Sequence, residues 1–497
     1  MNQVFVGIDM GTSAVKVLAV GIDGRTVAEG AEPYELETPR PEWVELDPDA
    51  VYNATMRTLQ KVLDEVHLRG DVPAAIGISV AMHGVIPVDE RGEALGPLIT
   101  WMDRRSGAIA DGWKEDGTAL ALYRRTGAPM HPMLPLCKLR WLSEHDAGTF
   151  KTASRFVSIK ELLIYRWTGE WLVDHAIASA TGLFDVRART WDAQALDLAR
   201  VGADRLSKPV STSTTMRELR GPIVSALALR ESIPVVLASS DGALANLGAG
   251  AVSRDTLALT LGTSGAIRTV AQDPIFDDAG RTFCYIFDDR RYLIGGPTSS
   301  AGAVLNWLLD LLCADFPPQR RFESAMALAE QIEPGAEGLT FLPFLSGERA
   351  PYWMSSLRGN IIGLDLAHDR RHIIRAAVEG IVFALYAVDE ILRARLGTPA
   401  RILLSGGLTH ARIFRQMIAD VFGSEAAQPN QLEASAFGAA MMAALATGAL
   451  KNLEDVATLL QFSEIETPDP QRRGRYRDIY ARYRAAVDAA LPLFAGG

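Results

Sequence analysis

The run GIDMGTSAVKVLAV beginning at Gly7 is echoed by LTLGTSGAIRTVAQ beginning at Leu259, and in both a Gly-Thr-Ser turn lies between two apolar segments. Gly262 follows Gly11 by 251 residues in a chain of 497. Solenoid repeats recur every ~20–50 residues, so this spacing instead indicates two domains of related architecture. Length points the same way, because single hydrophobic cores stop growing at roughly 250–300 residues. Residues 237–251 are the least patterned stretch nearby, rich in Gly, Ala and Ser, and the boundary is expected there. The expected domains are 1–245 and 246–497.

Residues 4–8 form a β-branched run entering a Gly and Asp turn, and 14–20 a second apolar run ending at Asp23-Gly24, which predicts a hairpin. Asp47-Pro48 has the form of an N-cap and first helical position, after which Val51, Met56, Leu59, Val62, Leu63 and Val66 recur at helical spacing. Residues 75–80 read as a buried strand. Residues 235–238, 257–261 and 401–404 are further short apolar runs, each followed by Ser, Gly or Asp. Strands mixed with helices throughout make this an α/β chain with loops at strand ends.

A hydrophobic share of 48% excludes disorder as the main state. Fifty Lys and Arg against sixty Asp and Glu leave a net charge of −10, the wrong sign for nucleic acid or an anionic membrane, so a small-molecule partner is expected. Cys137, Cys284 and Cys313 are far apart and form no CxxC, which argues against a disulfide framework and a zinc site and fits a reducing, cytoplasmic setting. The start MNQVFVGID has no basic leader, and the apolar stretch 434–450 is short and broken by Gly438, Thr447 and Gly448, so neither export nor membrane spanning is expected. The Arg-rich end from Gln471 places Tyr476, Ile479, Tyr480 and Tyr483 at helical spacing, which predicts an amphipathic terminal helix with a solvated basic face. Such a helix could serve a homodimer interface.

Gly11, Thr12 and Ser13 offer backbone N–H groups and two hydroxyls unobstructed by bulk, a cradle for phosphate oxygens, and residues 261–265 offer the same chemistry again. If the two domains face each other across a cleft, the turns would bracket a nucleotide's phosphate tail. Asp9 would add a hard carboxylate oxygen for Mg²⁺ or its waters. Each turn alone reads equally well as a plain hairpin. No Lys follows a Gly, so GxxxxGK[ST] cannot occur, and no GxGxxG follows a strand. Gly302, Gly406 and Gly407 mark further turns at strand-to-helix junctions, and Asp241 follows an apolar strand at the place of a helix N-cap or Asx turn.

Together these residues resemble the FGGY family of carbohydrate kinases, almost from end to end. GIDMGTSAVK is similar to the family's first phosphate motif, LTLGTSG to its second, and ASSDGALANLGAG to its catalytic-aspartate segment. MLPLCKLRWLSEH and GNIIGLDLAHDRRHIIRAAVEG resemble its two signatures, and LPFLSGERAP and SGGLTHARIFRQMIADVFG its nucleotide-side half. The resemblance implies two ribonuclease-H-like domains of the actin, Hsp70 and sugar-kinase superfamily flanking a cleft, with sugar mainly on the first domain and ATP mainly on the second. It further implies transfer of the ATP γ-phosphoryl to a hydroxyl, assisted by Mg²⁺. On it, Asp241 matches the general base; Thr12, Ser13 and Lys16 match the first phosphate contacts; Gly262 and Thr263 the second; Gly302, Asn306, Gly406 and Gly407 the nucleotide positions; and Asp9 lies near Mg²⁺. Asn306 stands where some relatives carry a longer amide.

Three segments are expected to face the sugar: Met82 and His83, then Asp103, Arg104 and Arg105 beside Trp101, then Met133 beside His131. His83 could instead be a core histidine and the arginines solvated. AMHG, with Ala81, departs from the QMHG of xylulokinases, and TGAPMHPMLPLCKL looks most like the gluconokinases of the family. The resemblance therefore implies gluconate, whose carboxylate Arg104 or Arg105 could recognise. Xylulose or another pentulose or polyol stays open, as does, more remotely, an actin- or Hsp70-like ATPase without a sugar.

Overall fold

The computed structural model describes residues 2–229, 231–431 and 433–494. The chain divides into two compact units, one of Met1–Val252, Val270–Leu293 and Gln431–Leu460, the other of Ser253–Thr269, Ile294–Asn430 and Gln461–Gly497. Residues 237–251, expected at the boundary, hold a buried helix, and the chain first leaves the first unit just beyond it.

The first unit is built on a six-stranded sheet in the order β5-β6-β4-β1-β2-β3. Here β1 is Gln3–Met10, β2 Ala14–Gly21, β3 Thr26–Pro33, β4 Val72–Val80, β5 Thr215–Met216 and β6 Val235–Val236. The β1–β2 hairpin is antiparallel, with Met10 opposite Val15, while β1 and β4 run parallel, with Met10 opposite Val80. β6 is parallel to β4 and antiparallel to β5. Helix α1, Pro48–Leu68, is capped by the Asp47 carboxylate with Pro48 in its first turn, and buries Val51, Leu59, Val62, Leu63 and Val66.

A second helix on this sheet comes from the far end of the chain: α8, Ala434–Ala446, packs on β1, β4 and β2 and on α4, Asp241–Ala249. Small residues make the approach possible. A Cβ on Gly7 would lie 1.8 Å from the Ala436 carbonyl oxygen, and one on Gly77 2.0 Å from that of Ala439. The apolar stretch that is too short for a membrane is thus a core helix, and no helix of the described residues is long and apolar enough to cross a membrane.

In the second unit β7, Thr256–Leu261, and β8, Gly265–Ala271, form an antiparallel hairpin, and β7 runs parallel to β10, Arg401–Ser405. β10 is parallel to β11, Glu425–Pro429, which is antiparallel to β12, Phe462–Glu466. With β9, Tyr292–Thr298, beside β8, six of the seven strands of this sheet follow the order β12-β11-β10-β7-β8-β9, which repeats β5-β6-β4-β1-β2-β3, and the seventh, Phe283–Ile286, lies at the edge beyond β9. The Gly-Thr-Ser echo therefore marks equivalent hairpins. Helix α6, Arg370–Leu396, packs on α7, Arg412–Phe422, and meets the terminal helix α9, Pro470–Phe494, through Phe383 against Tyr476, Tyr480 and Tyr483. The expected tyrosine stripe exists, and its own unit covers it.

Because β1, β4 and β6 are parallel, the loops at their carboxyl ends emerge along one sheet edge, which is where open α/β sheets place ligands. Those loops carry Gly11–Ser13, Met82–His83 and the approach to Asp241. The carboxyl ends of β7 and β10 bring Gly262–Thr263 and Gly406–Gly407 to one edge in the same way.

Candidate active site

Thr12 sits in the first hairpin turn, closed by Gly11 N–H donating to Ala14 O at 3.1 Å. The Tyr34 hydroxyl donates to Gly11 O, and Trp101 Nε1 donates to Thr12 Oγ1 at 2.9 Å. That bond joins the turn to the 101–105 loop, and Thr12, Met82 and Trp101 line one small hollow. Ser13 is exposed at the tip of the turn.

Asp9 lies opposite Ser79 across the β1–β4 pairing and accepts from Ser79 Oγ at 2.7 Å. Burial pushes its carboxyl above the ordinary range, while Ser79 and the charge of Lys16 pull it back. Lys16, opposite Asp9 on β2, pairs with Glu433 at 2.7 Å, and both side chains remain about a third or more exposed. A pair so exposed contributes little to stability, so Lys16 can leave Glu433 at small cost. One carboxylate beside a hydroxyl-rich turn suits Mg²⁺, which keeps most of its waters and takes one or two carboxylates. Among the described residues no cluster of three or more His, Cys, Asp and Glu gathers.

Asp241 is the first residue of α4, and the N-cap is Ser240, whose Oγ accepts from Ala243 N–H at 3.4 Å. Gly242 N–H donates to Asp241 Oδ1 at 2.7 Å, and the helix N-terminus favours the carboxylate's negative charge. Ala238 precedes it at φ 58°, a left-handed conformation unusual for alanine. The loop is held from below by Lys160 of α3, Ile159–Thr168, a fully buried side chain that donates to Asp174 Oδ2 and to Ser239 O, each at 2.8 Å. Burial draws the Lys160 pKa down, and the carboxylates of Asp174, Glu161 and Asp241 raise it again.

Of the expected sugar-facing residues, His83 is buried at φ 69° with Nδ1 2.7 Å from Ala180 O. A carbonyl only accepts, so Nδ1 carries the proton. Met82 and Arg104 are half-exposed, and Met133 is buried, its N–H donating to His131 Nδ1 at 3.2 Å. Asp103 and Arg105 turn inward. Asp103 is 0% exposed, accepts Val44 N–H at 2.8 Å and pairs with Arg105 at 2.7 Å. Arg105 also pairs with Glu45 and lies 3.7 Å over the Trp43 ring, its side chain 4% exposed. These two build the loop rather than present a charge, because a buried guanidinium needs a carboxylate within reach.

In the second unit, Gly302 N–H donates to Gly262 O and Ala303 N–H to Thr263 O, both at 2.9 Å, docking the start of α5, Gly302–Leu312, on the second turn. A Cβ on Gly302 would fall 2.5 Å from Gly262 O, and one on Gly406, at φ 93°, 2.4 Å from Leu261 O. The glycines thus permit three backbones to converge and leave Thr263, Asn306 and Gly407 exposed. Glu348 supports the lead into α5: it is buried and accepts from Thr298 Oγ1, Ser299 N–H and Ser300 Oγ, each at 2.6 Å. Burial raises its pKa. Lys160 and Glu348 escaped the sequence reading because a buried charge carries no local signal distinguishing it from a solvated one. All three cysteines are buried free thiols.

Residues 4–248 match the N-terminal domain of the FGGY family of carbohydrate kinases, and residues 257–447 match its C-terminal domain. The chain is 34% identical to a gluconokinase of Bacillus subtilis (strain 168) over 486 residues, 96% of this chain and 94% of that one. The crystal structure of gluconate kinase from Lactobacillus acidophilus superposes at TM-score 0.94 and 32% identity, covering 100% of this chain and 99% of that one. The ligand-bound xylulose kinase from the same species superposes at 0.94 and 31%, covering 99% of each chain. The chain belongs to the FGGY family of carbohydrate kinases, with the family's two-domain mixed α/β fold. It is a sugar kinase, a phosphotransferase with an alcohol group as acceptor and ATP as the donor its family uses.

Proposed function

We propose that the sugar is D-gluconate and the product 6-phosphogluconate, with Asp241 as general base. The observation that supports the substrate is the 34% identity to a gluconokinase across 96% of the chain. Arg104, a half-exposed cation on the loop that Trp101 ties to Thr12, is the residue we assign to the carboxylate. Arg105, already committed to Asp103 and Glu45, is not.

In this reading the Asp241 carboxylate takes the proton of the attacking hydroxyl as its oxygen bonds to the γ-phosphorus, and the bond to the bridging oxygen of ADP breaks. Thr12, Ser13 and Lys16 in the first unit, and Gly262 and Thr263 in the second, hold phosphate oxygens through N–H, hydroxyl and ammonium donors. Gly302, Asn306, Gly406 and Gly407 receive the rest of the nucleotide. Asp9 would hold Mg²⁺ through its waters, and the bound ion supplies charge neutralisation. Any homodimer and a cytoplasmic setting belong to the same proposal.

The test is a panel of sugars, polyols and sugar acids in a coupled ADP assay, with gluconate and xylulose compared directly. Gluconate-dependent ADP release is expected, falling ~10²–10⁴-fold in Asp241→Ala while ATP binding survives. Preference for xylulose, favoured by the equally close fold of a xylulose kinase, would replace the substrate. ATP turnover independent of any polyol would reject the kinase reading.

A further inference from the structure

Lys138 lies in α2, Pro135–His145, with its side chain wholly buried. Its Nζ donates to three backbone carbonyls, His83 at 2.6 Å, Thr100 at 2.7 Å and Ile99 at 3.3 Å. Those carbonyls come from two segments that pair through a Val85–Ile99 bridge, one following β4 with Met82 and His83, the other running from the short strand Leu98–Ile99 into Trp101, and Lys138 adds three bonds from a third element to that single bridge. A buried ammonium ordinarily takes a carboxylate, and the one whose charge reaches it, Asp103, has its oxygens engaged by Val44 N–H and Arg105. An ammonium is compact and has three donors, so it can serve three convergent carbonyls where a planar guanidinium could not. His83 holds φ 69°, a conformation that lasts only where the surroundings over-determine it; Lys138 on its carbonyl and Ala180 on its ring supply that constraint.

We infer that Lys138 is a positioning residue for the sugar: it clamps the Met82–His83 loop to the Ile99–Trp101 loop and thereby sets the affinity for the acceptor without touching it. The inference rests on the proposal that these two loops face the sugar. Burial draws the Lys138 pKa down to about 7, so loss of a proton, and with it one donor, falls in an accessible range. The ionisable groups whose charges reach it are Asp103, Arg105 and Cys137, whose thiol is pushed up to about 12.

The experiment compares Lys138→Met with wild type on whichever polyol the wild type prefers. The sugar KM is expected to rise at least about tenfold, with the ATP KM within about twofold and kcat within about threefold. A folded variant with an unchanged sugar KM overturns the clamp, as does a proportional fall in every parameter. If Lys138→Met does not fold, the wild type decides: the sugar KM should rise several-fold from about pH 7 to about pH 9, above the imidazole range, with the ATP KM level. A level sugar KM overturns the inference. Preference for xylulose would overturn the gluconate assignment alone, since the clamp is then read on xylulose.

Discussion

Arg104 and Arg105 are adjacent in sequence, and nothing in the string WMDRRS tells them apart. In the structure Arg105 closes a buried network with Asp103, Glu45 and Trp43, whereas Arg104 stays half-exposed. Arg105→Ala should therefore be lost to stability, by ~3–5 kcal/mol, because it strands the Asp103 charge in the interior. Arg104→Ala should raise the gluconate KM while sparing that for an uncharged acceptor. Calorimetry and steady-state kinetics on the two variants check this, and equal kinetic effects on charged and neutral sugars would remove Arg104 from carboxylate recognition. The residue types at the candidate site were legible in the sequence; which side chains are buried was not, because orientation is set by partners such as Glu45 and Val44, far away along the chain.

At the scale of elements, the hairpins, the strands entering the site and the capped helix α1 follow from local pattern: β-branched runs, turn glycines, an Asp-Pro cap. Helix α8 does not. Its burial against β1 and β4 depends on Gly7 and Gly77, and those glycines look like ordinary strand interruptions until the helix is in place. Gly7→Ala should push a methyl group into the Ala436 carbonyl and destabilise the protein by ~1–3 kcal/mol or more, read as a lowered midpoint in calorimetry. An unchanged midpoint would mean that the helix can retreat without loss. Adding Cβ at Gly107, which has open space around it, is the matched control.

For the molecule as a whole, buried acids give stability a pH dependence of definite sign. Glu161 caps α3 through Ser158, and burial raises its pKa from 4.5 to about 7. Between those values the folded chain holds a proton the unfolded chain has lost, so this contribution is full below pH 4.5, declines as pH rises and is gone above about pH 7. Glu161→Gln keeps the capping box and cannot ionise. The wild type should therefore lose stability relative to Glu161→Gln between about pH 5 and about pH 7.5 in denaturant titrations. A constant difference across that range would show that Glu161 titrates normally.

The sequence by itself determined the doubled Gly-Thr-Ser hairpin, the α/β class and the family, because short-range periodicity and turn chemistry are written in neighbouring residues. Tertiary structure decided what those neighbours cannot encode: that residues 431–460 return to the first unit, that the tyrosine stripe of α9 packs on α6, and that Lys138, Lys160, Asp103 and Arg105 are interior. Each of those outcomes depends on desolvation and on polar partners brought together by chain closure. A charged residue reads the same in sequence whether water or three carbonyls surround it.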